Sequence, residues 1–169
     1  MSEDSLTRTV YHECGHAITA ILLGGEIDLL TIEPEEEDEL PGRTGEIRVV
    51  WPEGRWSEAE LAVREIKVAL AGPMVEMIYD GTQFAPEFLE EWHYDWQLAV
   101  DRANEFLPRN KSVAQHLARF AHELLTFFER DDVWAAVAAL ADELEAHQSL
   151  EPEDVDEVLA AWPIDRDWK

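Results

Sequence analysis

Thr9-Val10-Tyr11-His12-Glu13-Cys14-Gly15-His16-Ala17 contains the pattern HExxH. Apolar residues at Val10, Ala17, Ala20, Ile21 and Leu22 recur around it with helical spacing, which predicts a helix from near Ser5 to Leu23. Gly24-Gly25 follows, where a left-handed backbone can end the helix. Residues four apart lie on one helix face, one turn above the other. His12 and His16 can therefore reach a single zinc ion together, at roughly 2.0–2.1 Å each. Glu13 lies one step round the helix from His12. From there a carboxylate can flank the ion without ligating it and act as the base of a hydrolytic reaction. The bland alternative is a chance grouping on one helix. Against it stand the helical setting and Gly15, which weakens a helix and implies close approach of another segment.

Outward from this helix, Ile27 to Ile32 and Glu46 to Trp51 read as strands. Between them lie an acidic run, Glu33 to Glu39, and the turn signal Leu40-Pro41-Gly42. From Ser57 onward the pattern is helical. Ser57-Glu58-Ala59-Glu60 and Ser112-Val113-Ala114-Gln115 are capping boxes, in which serine and the residue three later satisfy first-turn amides. Gly72-Pro73 falls inside the helix opened at Ser57 and is expected to kink or interrupt it. Further helices are expected over roughly Asp95 to Leu107, after Ser112, after Asp131-Asp132, and from Pro152 to near Trp162. The fold class is mostly α with a small β-sheet. The 169 residues read as one domain, a helix and small sheet over about 5–56 and a helical part over about 57–163.

Charge narrows the function classes. Thirteen basic residues against 38 acidic ones give a net charge of −25, which repels phosphate backbones and anionic lipid. Nucleic acid and membrane surfaces are therefore not expected partners. A single cysteine, Cys14, excludes an internal disulfide framework and a cysteine-rich zinc site. The early apolar run Ala17–Leu23 is far shorter than a membrane span, and Ser2-Glu3-Asp4 lacks the basic flank of a signal peptide. A cytoplasmic location is the expectation.

A catalytic zinc needs a third protein ligand and an open position. A histidine six residues after His16 would supply it in one known arrangement, but that residue is Leu22. Glu76, four before Asp80, has the spacing of another arrangement. The stretch His93-Tyr94-Asp95 offers a third. Spacing alone does not choose among Glu76, His93 and Asp95. Other residues read as structural. Cys14 sits off the face shared by the histidines and reads as a small packed side chain. Trp92 and Trp96 read as core, as do Phe120, Phe127 and Phe128. His116, His122 and His147 read as structural or exposed, and the acidic run as a solvated loop.

The chain resembles the peptidase domain of the FtsH family of zinc metalloproteases. Residues 9–17 are similar to that family's active-site helix, YHEAGHA. Leu70-Ala71-Gly72-Pro73-Met74-Val75-Glu76 resembles its LGGRxAE segment, and Tyr94-Asp95-Trp96-Gln97-Leu98-Ala99 its ND-hydrophobic-x-x-A segment. Residues 140–144 and 149–155 are similar to its C-terminal helices. The resemblance implies that His12, His16 and Asp95 ligate zinc, that Glu13 is the base, and that Glu76 orients a histidine ligand. It also implies that substrate lies extended beside an edge strand, for which Glu46 to Trp51 is the better candidate.

This chain departs from the family at Pro73, where the family has arginine, at Cys14 for alanine, and at Tyr94 for asparagine. No phosphate-binding GxxxxGK[ST] loop occurs, so ATP-driven unfolding is not expected of these residues. The resulting expectation is a zinc endopeptidase acting on unfolded or flexible polypeptide. The alternatives are a regulatory or scaffold protein that keeps the fold with little turnover, and a regulatory protease with one dedicated partner. The resemblance implies assembly as a homo-oligomeric ring; a separate partner protein is the other arrangement left open.

Overall fold

A computed structural model describes residues 3–33, 45–81 and 92–165. The acidic run beyond Glu33 and the Leu40-Pro41-Gly42 turn lie outside the described residues. Among those described, the order is α1 (Glu3–Leu22), β1 (Glu26–Thr31), β2 (Glu46–Val50), α2 (Glu58–Asp80), α3 (His93–Phe106), α4 (Val113–Phe128), α5 (Asp131–His147), β3 (Ser149–Leu150) and α6 (Pro152–Ala161). The mostly-α class with a small sheet is what the chain adopts.

Local chemistry explains most boundaries. α1 ends where Gly24 takes φ 90°, with its N–H donated to the Ile21 carbonyl. Ser57 and Ser112 each accept the amide three residues on, while Glu60 and Gln115 reach back to the cap amides. A third box joins Glu151 to Asp154 at the start of α6, with Pro152 in the first turn.

Two expectations change. Pro73 does not interrupt α2, which runs unbroken from Glu58 to Asp80. Its ring removes the amide that would bond the Ala69 carbonyl. The helix nevertheless continues because Ala69 to Met77 are all buried and held by neighbouring helices. The second change is β3, two residues long and absent from the sequence pattern. It adds to β1 so that the sheet runs β2-β1-β3, antiparallel throughout. Gln148, at φ 65°, turns the chain into β3, and its carbonyl accepts the Ile32 amide and the Thr31 hydroxyl. Among the described residues β2 is a sheet edge, as expected.

Helix α1 is central. It packs on α2, on α5 and on both long strands. Cys14, Ala17, Ile18 and Ala20 of α1 are buried, as are Ile66, Leu70 and Met74 of α2. Leu117, Phe120, Leu124 and Phe128 are buried on α4, and Val133, Val137, Leu140 and Leu144 on α5. Each large apolar side chain so buried contributes about 1.5–3 kcal/mol. No helix among the described residues is long and apolar enough to cross a membrane.

Candidate metal centre

Small residues set the site. Where α1 crosses α2, a Cβ on Gly15 would lie 2.7 Å from the Ala71 carbonyl oxygen. That separation is below van der Waals contact, so only glycine permits this closeness of the two backbones. On the facing helix, a Cβ on Gly72 would lie 2.5 Å from His16 Nε2 and 2.8 Å from His12 Cδ2. The two imidazoles thus lie on bare α2 backbone. Their ring centres are 4.7 Å apart and nearly perpendicular.

Each imidazole is held from behind. His12 donates its Nδ1–H to Glu76 Oε2 at 2.8 Å, and His16 donates its Nδ1–H to the Val68 carbonyl at 2.6 Å. With both Nδ1 atoms engaged, both Nε2 atoms turn to the same carboxylate. His12 Nε2 is 2.9 Å from Asp95 Oδ2, and His16 Nε2 is 3.4 Å from it. Asp95 arrives in the first turn of α3, and so from a third helix.

These three residues could hold a metal ion: one donor atom from each lies within 4.8 Å of the other two. A tetrahedral ion bound at roughly 2.0–2.1 Å sets its donors roughly 3.3 Å apart. The observed 2.9 and 3.4 Å bracket that spacing. The carboxylate behind His12 and the carbonyl behind His16 are the usual supports that fix the ligating tautomer. The donor set therefore fits a divalent cation.

Charge is concentrated here. Burial alone would lower the His12 pKa, but the hydrogen bonds to Asp95 and Glu76 outweigh it and push it up to about 10. Burial alone would raise the Asp95 pKa. The neighbouring His16 and His12 reverse this and hold the carboxyl well below the usual range. A proton and a cation thus compete for the His12 Nε2 lone pair.

Glu13 is buried, 5% exposed, and its carboxylate lies against Gly45. A Cβ there would come within 2.6 Å of Glu13 Oε1, so the chain entering β2 passes directly over the acid. Beside His16 and Asp95 opens a cleft of about 220 Å³. Ile47, Val49 and Trp51 form one wall, and Val68 and Leu98 contribute to the other side.

Of the three residues that spacing left open, Asp95 meets both imidazoles, Glu76 stands behind His12, and His93 is exposed at the first position of α3. Cys14 is fully buried, and burial pushes its thiol pKa well up, which leaves it inert. His116 is buried and bonded to the Pro108 carbonyl, while His122 and His147 are exposed. Phe120, Phe127 and Phe128 are core.

Sequence reading missed three contributors. The Val68 carbonyl carries no side-chain signal at all. Gly72 was visible as a mid-helix glycine, the same signal that marked Gly15. Trp92 is core as expected, yet its indole N–H is also donated to Glu76 Oε2 at 2.8 Å.

No protein-family model matches the chain, and no curated protein matches it.

Proposed function

We propose that this chain is a zinc-dependent peptidase that cleaves flexible polypeptide segments, similar to an FtsH-type peptidase domain. The observation that carries the reading is the convergence of His12 Nε2 and His16 Nε2 on Asp95, each ring backed by an acceptor on α2. Zinc held there supplies Lewis-acid polarisation of the scissile carbonyl and an acidified water. Imidazole and carboxylate donors also suit iron(II). The glutamate inside HExxH supports hydrolysis and hence zinc.

The remaining work falls to this chain's own residues. Glu13 accepts a proton from the attacking water and returns it to the departing amine nitrogen. Its burial limits the access of bulk water that would compete for that proton. The outer side of β2, an edge among the described residues, would pair with an extended backbone, which suits peptides of mixed sequence. The wall of Ile47, Val49 and Trp51 receives an apolar side chain next to the scissile bond. Among the described residues three donors converge and exposed His93 is not one of them; a zinc ion held by three protein donors would leave a position for water or substrate. This supports an enzyme over a four-ligand structural site.

The test is cleavage of a quenched, unstructured peptide by zinc-loaded protein and by Glu13→Gln. The variant should bind zinc normally and lose about 10²–10⁴-fold in kcat. Equal turnover by the two proteins overturns the mechanism.

A further inference from the structure

The start of α3 raises a question of placement. Asp95 must be delivered to two imidazoles that α1 and α2 already hold, yet α3 begins without a side-chain cap at its N-terminus. Its fully buried residues are two alanines, Ala99 and Ala103, with Trp96 and Val100 partly buried beside them and Arg102 paired with Glu65 of α2 at 2.9 Å, so the contacts that hold the helix lie C-terminal to Asp95. The residue that opens the helix is Trp92, and it is among the largest fully buried side chains, 1% exposed. A buried indole needs an acceptor for its N–H. The acceptor here is Glu76 Oε2, the same oxygen that accepts His12 Nδ1–H, each at 2.8 Å. The other Glu76 oxygen faces Arg8 at 3.8 Å, and Arg8 is itself paired with Asp80 at 2.8 Å.

We propose that Trp92 is a positioning residue of the metal centre: its indole N–H, bonded to the Glu76 oxygen that holds His12, ties the start of α3, and so Asp95, to the two imidazoles. One carboxylate oxygen thereby aligns two ligands on different helices. Two donors on one oxygen also fix the plane of the Glu76 carboxylate, which sets the tilt of the His12 ring. A phenyl ring in the same place would keep part of the packing, leave a small cavity and lose the tie, which is why melting temperature is read beside affinity. The inference rests on the metal-centre reading above but not on peptidase activity.

The test uses the full chain with zinc alone as the probe. Zinc affinity is measured by competition with a chromogenic chelator for wild type, Trp92→Phe, Glu76→Leu and the double variant, with metal-free melting temperatures alongside. Trp92→Phe should weaken zinc binding by about 10–100-fold, the range for groups that orient a ligand. In the Glu76→Leu background the same substitution should change affinity by less than about twofold, because the partner it acts through is gone. A packing role alone would lower the melting temperature and leave affinity unchanged, or give additive losses in the cycle; either result overturns the proposal.

If Trp92→Phe does not fold, the wild-type proton–nitrogen NMR spectrum decides. The Trp92 indole proton is recognised by cross-relaxation with the His12 Nδ1 proton that shares its acceptor. Zinc must shift that signal, and an unmoved signal overturns the proposal. Wild type that binds no zinc overturns this inference and the proposed function together. Normal Trp92 behaviour in a protein that cleaves no peptide overturns only the function.

Discussion

Helix α2 makes two contacts of opposite character. Toward α1 the meeting residues are small, with Gly15 against the Ala71 carbonyl and Gly72 beneath His12 and His16. Helix α2 also packs on α4, an amphipathic helix whose buried residues include Leu117, Phe120, Leu124 and Phe128. The first contact gains closeness, and with it the placement of two imidazoles on bare backbone. The second gains buried area, and with it stability. A protein can thus hold a polar, charged group rigid on one side of a helix because the other side supplies the free energy. The two contacts should also fail differently, the apolar one in stability and the glycine one in metal binding.

The largest effect is expected on the apolar side. Leu124→Ala removes a fully buried side chain and should lower unfolding free energy by about 2–5 kcal/mol in urea titrations. Zinc affinity of the folded fraction should stay within about twofold. A large affinity loss there would erase the distinction between the contacts.

Next comes Gly72→Ala. The new methyl would sit 2.5 Å from His16 Nε2 and must displace that ring. Zinc affinity should fall by roughly 100-fold, equivalent to about 2.7 kcal/mol, in the same chelator competition. Retained affinity would mean the rings do not need the bare backbone.

Smaller, taken per pH unit, is the effect of pH on the glycine side. His12, with its pKa pushed up to about 10, carries a proton in the metal-free site at neutral pH. That proton must leave before the cation binds, so zinc affinity should rise about tenfold per unit between pH 6 and 8. The raised value also gives the metal-free fold a stabilising term, with a definite sign. It is complete below the unfolded histidine pKa of about 6.5 and fades as pH climbs through about 10. Metal-free protein should therefore melt progressively lower across that window. Affinity flat with pH would show that His12 is not held as the charged form.

The smallest effect belongs to the caps. Ser57→Ala and Ser112→Ala remove equivalent boxes from α2 and α4, and each should lower stability by about 1 kcal/mol in thermal melts. If only the α2 cap altered zinc affinity, the first turn of α2 would have to be counted with the site.

Legibility followed range along the chain. The capping boxes are contacts between residues three apart, and the histidine pair is four apart, so both could be read directly. The edge position of β2 was also legible, as was the apolar face of α4. Asp95 and Glu76 were legible only as candidates, since motif spacing put each among several acids and histidines. The sequence left open whether Pro73 kinks or interrupts α2; that the helix is not interrupted follows from burial of Ala69 to Met77, which no local rule about proline contains. The two-residue β3 escaped because so short a strand has no period of its own, only a partner in β1.

Taken alone, the amino-acid order determined which helix carries the imidazoles, that they share a face, and that a carboxylate flanks them. It also determined the helical character of the chain after residue 57 and the strong negative charge. Only the tertiary structure decided which acid closes the set, which groups stand behind each ring, and that Trp92 reaches Glu76. The reason is separation. His12 meets Glu76 across 64 positions and Asp95 across 83, and His16 meets the Val68 carbonyl across 52. Such meetings depend on how helices cross, and the crossing is set by the summed packing of many side chains rather than by any short pattern.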